Sequence, residues 1–213
     1  ESLSADIPQS VMRVSANSSN ASYSPEKAVD GNSATIWHSE WTPENDPFPH
    51  IFTIDLQKRM MLEEIRIAPR QDMDTGKITK GQIYVGDSLD DMALAAEFTA
   101  DSTGKGATAV DLNFAAGRYV QIYSLASTSE NTAISEIGIS TYDRGMAGAF
   151  QQYDDAVNML RKATVGEEIG DYTADAVEDF EQTLAGFQAE LAADAITTEG
   201  YYDITSRLCQ ACK

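Results

Sequence analysis

The sequence predicts a mainly β protein, with an antiparallel β-sandwich or jelly roll over residues 1–143 and a small three-helix bundle over residues 144–213. Three observations support this prediction. Both tryptophans, both histidines and all six prolines lie within residues 1–144, whereas Ala, Glu, Asp, Gln and Leu dominate the rest. Short β-branched or aromatic segments between turn residues fill the first part. Apolar residues at helical spacing fill the second part.

Seven candidate strands are recognised in the first part by their β-branched and aromatic residues, and several of them alternate polar with apolar residues. No helical period separates them, which favours an antiparallel sandwich. In such a fold, the loops at one end commonly carry the binding function. The candidate strands are Ser10–Ser15, Ile51–Leu56, Leu62–Ala68, Gln82–Val85, Ala109–Leu112, Tyr119–Tyr123 and Ile134–Tyr142.

Three helices are predicted in the second part, separated by loops that contain Gly or Thr. The first carries an apolar stripe, and Thr residues are placed to cap the other two. Connections this short imply an antiparallel bundle. The predicted elements are a helix over Met146–Lys162 with its stripe of Phe150, Tyr153, Val157 and Leu160, a loop over Val165–Gly170, a helix from Thr173 to about Ala193, and a helix from Thr197 or Thr198 to about Cys209.

The formal charge of −19 excludes several classes of partner. Residues 1–144 hold 11 basic and 21 acidic side chains, and residues 145–213 hold 4 and 13. Nucleic acid is therefore not expected as a partner, because phosphate binding needs a basic face, and anionic lipid is disfavoured for the same reason. The sequence has neither an apolar run of the roughly 20 residues that a membrane helix needs nor a signal-peptide pattern at Glu1. We expect it to be a piece of a larger protein.

The only two cysteines, Cys209 and Cys212, lie close to the end of the third predicted helix. A Cys-x-x-Cys spacing can be redox-active or metal-binding. A redox pair is expected early in a helix beside a strand, and a zinc site needs two further ligands nearby. Neither condition is met, so we interpret the pair as two ordinary thiols.

Residues 28–41 predict a cation-binding turn next to an aromatic surface. Asp30, Gly31, Asn32 and Thr35 are close enough for their oxygens to surround one hard cation, and Gly31 can adopt the backbone angles of a tight turn. The alternative is a plain turn, since Asp-Gly-Asn is common in turns. The segment continues into two Trp residues that flank a His, as expected of a binding loop.

Eight short motifs, in matching order over about residues 8–142, resemble the coagulation-factor 5/8 type C, or discoidin, family. The residues of these motifs are most similar to the bacterial branch of the family, family 32 of the carbohydrate-binding modules. The motifs are Ala16-Asn17-Ser18-Ser19, Ala28-Val29-Asp30-Gly31-Asn32, Thr35-Ile36-Trp37-His38-Ser39, Pro49-His50 before Phe52-Thr53-Ile54-Asp55-Leu56, Ile67-Ala68-Pro69-Arg70, Ile83-Tyr84-Val85, Gly117-Arg118-Tyr119-Val120 and Ile134-Ser135-Glu136-Ile137.

This resemblance implies a galactose-binding-like β-sandwich with a structural calcium. In the family, the ion is held by a carbonyl before the Asp-Gly-Asn turn, by the turn, by the following Thr and by a Glu of the closing strand. Two carboxylates plus neutral oxygens suit a cation that takes about 6 to 8 ligands. The matching ligands here are the backbone oxygen of Lys27, Asp30, Asn32, Thr35 and Glu136, with the carbonyl of Ala133 as a further candidate.

The resemblance also implies a shallow sugar site at one end of the sandwich. His38 and Arg70 stand where family members place hydroxyl-binding residues, and Trp41 in the adjacent loop supplies an aromatic face for a sugar ring. For each of the three, a structural role is the alternative. Trp37 is expected in the core, and His50 is expected to be a hydrogen-bonded structural histidine.

Two departures from the family pattern argue against galactose itself as the ligand, though not against carbohydrate as a class. Some galactose-binding members have an acidic contact residue near the position of Asn20–Ser22, where this sequence has none. The loop Ser127–Thr132 also lacks the aromatic residue that often completes the platform.

The helical part resembles the FIVAR family of three-helix modules, which follow carbohydrate-binding domains in large secreted enzymes. The resemblance rests on helix spacing and on Gly170-Asp171-Tyr172 before the second helix. It implies a spacer or an interaction module. The dense acidic residues are most simply a solvated face, and a docking surface is the alternative.

Together, these features predict a non-catalytic carbohydrate-binding module, or lectin-like domain, in an extracellular or cell-surface bacterial protein. Its expected partners are the terminal monosaccharides of glycans and a covalently linked catalytic domain such as a glycoside hydrolase. The sequence has no nucleophile elbow, no Gly-rich phosphate loop and no His cluster for zinc, so an enzyme is not expected. The alternatives are a protein- or phospholipid-binding discoidin-type adhesion domain, and a catalytic domain whose carboxylates are hidden among the many acids.

Overall fold

The computed structural model describes residues 5–142, 144–166, 170–193 and 196–213. The chain divides into two compact units, Glu1–Tyr142 and Asp143–Lys213. The first unit is an antiparallel β-sandwich and the second contains three helices, so the predicted fold class is confirmed. No helix in the described residues is long and apolar enough to cross a membrane.

Nine strands lie within residues 5–142, and every pairing between them is antiparallel. One sheet contains β1, β3, β7 and β9, the other contains β2, β5, β6 and β8, and β4 belongs to both. The strands are β1 (Ala5–Asp6), β2 (Arg13–Ala16), β3 (Trp37–His38), β4 (His50–Pro69), β5 (Ile78–Ser88), β6 (Asp91–Thr99), β7 (Thr108–Asp111), β8 (Ala116–Ser127) and β9 (Ala133–Thr141).

Strand β4 joins the two sheets and turns back on itself between them. Its pairing register with β8 shifts between Asp55 and Met60. Within this interval, Gln57 has φ of 63°, a left-handed conformation that is uncommon outside glycine. The Asp55 carboxylate holds the bend by accepting the Gln57 amide at 2.7 Å and two bonds from Arg118 at 2.8 and 2.9 Å. The bend therefore rests on a charge-assisted contact between β4 and β8.

Both ends of β4 return to one end of the sandwich. The ring of His50, the first residue of β4, pairs with Thr132 Oγ1 at 2.9 Å, and the carbonyl of Pro69, its last residue, accepts from Ser135 Oγ at 2.8 Å. Thr132 and Ser135 are only three positions apart. Consequently, the loop before β4 and the segment after it lie beside the start of β9.

The core of the sandwich consists of inward-facing residues of both sheets. Trp37 is 1 % exposed, packs edge-on against Phe52 at 5.0 Å, and donates its indole N–H to the Ser18 carbonyl at 3.1 Å. Full burial of one such side chain contributes about 1.5–3 kcal/mol. Trp37 is thus a core residue, as predicted. Other apolar residues of this unit that are at most 1 % exposed are Ala28, Ile54, Leu56, Leu62, Ile65, Ile83, Leu112, Val120, Ile122, Ala133, Ile134, Ile137 and Ile139.

Three of the strand predictions differ from the structure. Ile51–Leu56 and Leu62–Ala68 are parts of the single strand β4, and Ser10–Ser15 begins with a 3-10 turn over Gln9–Val11 that follows Pro8. Strands β1 and β3 have two residues each, too few to show the alternation of polar and apolar residues that predicts a strand. Strand β6 was missed because its Ala, Met and Glu residues have weak strand propensity, so that pairing with β5 determines its conformation.

The helices have nearly the predicted bounds: α1 (Arg144–Lys162), α2 (Ala174–Leu191) and α3 (Thr198–Ala211). Thr173 and Thr197 cap α2 and α3, because their side chains accept from Ala176 N at 3.2 Å and Gly200 N at 3.1 Å. The predicted end of the second helix near Ala193 lies two residues beyond its observed end. Residues 167–169 of the predicted loop lie outside the described residues.

The helices of the second unit pack through one apolar face each. Phe150 of the predicted stripe is buried, and the remaining stripe residues are half-buried. Cys209 is exposed and Cys212 is half-buried; neither forms a disulfide. The FIVAR assignment of these helices stays a prediction. The buried residues that α2 and α3 contribute are Leu184, Phe187, Leu191, Tyr201, Ile204 and Leu208.

We predict that the first unit folds without the second. A chain truncated after residue 143 should stay soluble and melt in one cooperative transition, because its core is built from its own strands. Circular dichroism during heating, with gel filtration, measures this. Aggregation or the lack of a transition would instead show that the helices complete the core of the sandwich.

Candidate functional site

The predicted cation turn brings four oxygen atoms together. Thr35 Oγ1 lies 2.7 Å from Asp30 Oδ2, 2.8 Å from the Asn32 carbonyl oxygen and 3.4 Å from the Lys27 carbonyl oxygen. Gly31, with φ of 74°, makes this turn, and the Asn32 amide closes it by donating to Asp30 Oδ1 at 2.9 Å. The turn is therefore already folded around its oxygens.

Glu136 on β9 supplies a second carboxylate at this turn. Its Oε1 atom is buried and has no hydrogen-bond partner among the described residues. Burial raises the pKa of Glu136 above its usual value, and the nearby negative charge of Asp30 raises it further. An unpaired buried carboxylate oxygen next to another carboxylate is unfavourable unless one carboxyl is protonated or a cation lies between them.

These residues fit a calcium ion by the chemistry of their donors. A cation here would have the carboxylates of Asp30 and Glu136 and the neutral oxygens of Lys27, Asn32 and Thr35 as its ligands. Calcium accepts such a set. The ammonium of Lys27 does not neutralise the carboxylates, since Nζ donates to the Ser22 carbonyl at 2.7 Å and lies 5.4 Å from the Tyr23 ring centroid.

Ala133, the further carbonyl candidate, lies at the start of β9. It is in register with His38 on β3, and its amide donates to the Gly76 carbonyl at 2.8 Å. This position places Ala133 beside the residues predicted for sugar binding. Its role as a calcium ligand stays a prediction.

The predicted sugar residues Trp41 and His38 form an aromatic cluster with Tyr23. The edge-to-face contact between the Trp41 and His38 rings has a centroid distance of 4.5 Å, and Tyr23 lies 5.5 Å from Trp41 and 6.1 Å from His38. Trp41 is half-buried, whereas His38 is 9 % exposed. The cluster thus fixes the orientation of Trp41 while part of its surface stays open to solvent.

The hydrogen bonds of His38 determine which of its nitrogens is available. Nδ1 lies 2.7 Å from the Ser39 carbonyl oxygen, which can only accept, so Nδ1 carries the proton. Burial lowers the pKa of His38, and the positive charge of Arg70 lowers it further. The imidazole is therefore neutral at neutral pH, and Nε2 is an acceptor suited to a sugar hydroxyl.

Arg70 is 6 % exposed and forms a bidentate ion pair with Asp72. Nε and Nη2 donate to the two carboxylate oxygens at 2.8 and 2.9 Å. These hydrogen bonds lower the pKa of Asp72 to about 2. Pro69, which precedes Arg70, and Trp37, which precedes His38, are both in register with Ile134 of β9, so Arg70 and His38 lie at the same end of that strand. The ion pair fixes the orientation of the Arg70 guanidinium and therefore of its remaining N–H groups.

The segment after Arg70 is fastened to a second loop. Lys77 is 1 % exposed, and its ammonium donates to Asp74 Oδ1 at 2.8 Å and to the Gly104 carbonyl at 3.1 Å. Gln71 and Lys105 exchange side-chain to backbone bonds of 3.0 and 2.7 Å. These contacts hold the Arg70–Asp72 pair in place.

Sequence reasoning missed Glu40, which organises the loop that carries Trp41. Glu40 Oε1 accepts from Asn20 Nδ2 at 2.9 Å, from the Trp41 amide at 2.9 Å and from the Thr42 amide at 3.0 Å. The bond from Asn20 is the main cause of its lowered pKa. An acidic side chain thus lies beside Asn20, where the family pattern led us to look for one, but it comes from the next loop.

A cavity of about 320 Å³ lies between the loop before β4 and the loop before β9. Phe48 lines it, and the ring of Phe48 packs against that of His50 at 4.4 Å. His50 is 1 % exposed and has both nitrogens in hydrogen bonds, as expected of a structural histidine. An aromatic side chain, Phe48, thus lies beside Glu130 of the Ser127–Thr132 loop, although that loop has no aromatic residue of its own. The cavity is lined by Asn45, Asp46, Pro47, Phe48 and Glu130.

Comparison with curated proteins finds galactose oxidase from the fungus Gibberella zeae, 29% identical over 120 residues. The match covers 53% of this chain and only 17% of the oxidase. Because so little of the oxidase is matched, its activity is not transferred to this chain.

Among solved structures, the family 32 carbohydrate-binding module of NanJ from C. perfringens, in complex with galactose, is 27% identical with a TM-score of 0.60 and covers 64% of this chain and 98% of the module. A family 32 module of a family 31 glycoside hydrolase from Clostridium perfringens is 22% identical with a TM-score of 0.61, over 64% of this chain and 94% of its own.

The family model of the F5/8 type C domain matches residues 13–137, which span the motifs and the strands from β2 to most of β9. This match includes the cation turn, Glu136 and the three predicted sugar residues. The chain therefore belongs to the F5/8 type C domain family.

Proposed function

We propose that the first unit is a non-catalytic carbohydrate-binding module that binds terminal sugars of glycans. The observation that carries this proposal is the grouping of Trp41, His38 and Arg70 at one end of β9: an aromatic face, a neutral imidazole acceptor and a guanidinium donor. These are the groups that recognise the C–H face and the hydroxyls of a sugar ring. The NanJ module, which is described in complex with galactose, supports the same ligand class.

We further propose that calcium is a structural cofactor at the turn of Lys27, Asp30, Asn32 and Thr35, with Glu136 and the carbonyl of Ala133. The buried, unpaired oxygen of Glu136 supports this proposal. When bound, calcium would neutralise two carboxylates and join the turn to β9. The residues themselves fold the turn, and the Lys27 ammonium donates to the Ser22 carbonyl.

We place the module in a larger extracellular or cell-surface protein, in which it directs a linked catalytic domain, such as a glycoside hydrolase, to glycans. The solved module that belongs to a family 31 glycoside hydrolase supports this arrangement. The helical unit would then be a spacer or an interaction module.

Binding to phospholipid, as in other discoidin relatives, is disfavoured by the charge of the site loops. The loop over residues 39–49 contains Glu40, Glu44 and Asp46, and the loop over residues 127–132 contains Glu130; neither contains Lys or Arg. Apolar residues that insert into an anionic membrane need basic neighbours. A neutral sugar has no such requirement.

The first test concerns calcium. Saturating calcium at about 100 times its dissociation constant should raise the melting temperature by about 5–10 °C relative to chelated protein, since a ligand of the folded state stabilises it by about 2.7 kcal/mol. Asp30→Ala should melt like the chelated protein in either condition. The control, Asp87→Ala, removes an exposed carboxylate that pairs with Arg59 at 3.5 Å and should keep the calcium response. Equal melting temperatures with and without chelator would rule out the site.

The calcium response should also depend on pH. The pKa of Glu136 is raised in the folded protein, so without calcium the carboxylate costs stability as pH rises through this pKa, and calcium offsets that cost at neutral pH. As pH falls through the same pKa, protonation of Glu136 should weaken calcium binding. Differential scanning fluorimetry over a pH series measures this, and a response that stays constant across the acidic range would contradict it.

The second test concerns the sugar. A terminal sugar, tested with a panel of monosaccharides that includes galactose, should bind with a dissociation constant on the order of 0.1–1 mM, because a shallow site buries few atoms. Trp41→Ala should weaken binding at least about tenfold. His38→Phe keeps a ring against Trp41 but removes the Nε2 acceptor, and it should change which sugar epimers are preferred. Calorimetric titration measures both effects.

A matched control separates sugar binding from folding. Phe114 is 60 % exposed and lies in the turn next to Ala115. The Ala115 carbonyl accepts from the Leu62 amide in the middle of β4, so Phe114 lies away from the two ends of β4 that flank the site. Phe114→Ala should leave sugar binding unchanged. All three variants should melt within about 4 °C of the wild type, which corresponds to about 1–2 kcal/mol. If the Trp41→Ala protein binds sugar normally, or if it unfolds, the sugar-binding assignment of Trp41 is wrong and its role is structural.

A further inference from the structure

The side chain of Gln9 connects three separate parts of the first unit. Its Nε2 donates to Glu136 Oε2 at 2.5 Å and to the Ile137 carbonyl at 2.8 Å. Its Oε1 faces the cation turn, 3.8 Å from the position that a Cβ on Gly31 would occupy. One amide of the N-terminal segment therefore binds β9 and faces the turn.

We propose that Gln9 is a positioning residue of the cation site, which holds the Glu136 carboxylate so that its second oxygen is presented to the ion. This inference rests on the proposed calcium site. None of the family motifs quoted above includes Gln9, and its role follows from the hydrogen bonds that it makes.

The orientation of the Gln9 amide is fixed by its second bond. A carbonyl oxygen can only accept, so the bond to Ile137 requires that the NH₂ group, and not the amide oxygen, faces β9. The same NH₂ group donates a hydrogen bond to Glu136 Oε2. Glu136 Oε1 is left buried and without a hydrogen-bond partner among the described residues. The amide thus separates the two oxygens of one carboxylate into an anchored oxygen and a free one.

A neutral amide is well suited to this position. Lys or Arg would also hold the carboxylate, but their positive charge would repel a cation; an acid would repel the carboxylate. Gln donates a hydrogen bond without net charge. Glutamate has three side-chain torsions to fix, and an anchored oxygen removes most of that freedom before the ion binds.

The backbone around Gln9 is held on both sides. The Ile7 amide donates to the Ile139 carbonyl at 2.8 Å, and β1 pairs with the end of β9. On the other side, Gln57 Nε2 donates to the Val11 carbonyl at 2.6 Å. Ion binding at Glu136 is therefore coupled to the docking of residues 5–12 on β9.

The test uses the full chain with Gln9→Met, which keeps the length of the side chain and removes the donor, and Gln9→Asn, which keeps the amide but shortens the reach. Calcium is titrated by calorimetry into chelator-treated protein. Both variants should weaken calcium binding about 10- to 100-fold, as is usual when a partner of a metal ligand is removed. The control is Gln121→Met. It removes a hydrogen bond of 3.1 Å from the Gln121 side-chain amide to Thr53 Oγ1, on the other sheet, and should leave calcium affinity unchanged.

Melting temperatures distinguish positioning from simple support of the fold. If Gln9 acts through Glu136, Gln9→Met lowers the melting temperature mainly in calcium, and in a Glu136→Gln background it has no further effect on the calcium response. Calcium should also slow amide exchange in residues 5–12 of the wild type but not of Gln9→Met. An equal loss of stability with and without calcium, together with unchanged calcium affinity, would overturn the proposal. If the wild type binds no calcium, both this proposal and the calcium site fail, whereas the sugar proposal is unaffected.

Discussion

The bend of β4 at Gln57 is the constraint on which the architecture of the first unit depends. Because one strand contributes to both sheets, the two layers are linked covalently as well as by packing, and the two ends of the strand meet at the same end of the sandwich. The loop with Trp41 precedes the strand, Arg70 follows it, and His38 pairs with the start of β9. Residues that are 32 positions apart in the chain thus come together without a long connection.

Both candidate sites lie beside β9, and they differ in how their charges are balanced. At the cation turn, the oxygens converge and two carboxylates lie close together, so the ionised pair is favourable only with a counter-charge. At the sugar site, two charged groups near the aromatic cluster already have protein partners: Arg70 pairs with Asp72, and Glu40 accepts three strong bonds from its own loop and Asn20. A site whose charges are satisfied internally can bind a neutral ligand at little desolvation cost.

The sequence predicted those features that depend on local pattern or on a motif in fixed order. The central parts of the longer strands, helix caps at Thr173 and Thr197, the core role of Trp37 and the family resemblance all belong to this group. Features created by contacts between distant segments could not be predicted. Strand β6 depends on its neighbour, Glu40 is an ordinary loop acid until Asn20 is folded against it, and Gln9 becomes notable only when its amide reaches Glu136.

The carboxylates of the site loops have a consequence for the rate and place of binding. At physiological ionic strength, fields from exposed charges extend about 8 Å, so the acidic loops act on a glycan before contact. A polyanionic surface, rich in sulfated or sialylated chains, would slow the approach of these loops, whereas a neutral chain would meet no such barrier. On a mixed cell-surface coat, the module would then accumulate at uncharged branches because encounters with the charged ones are rarer, even where the terminal sugar is the same.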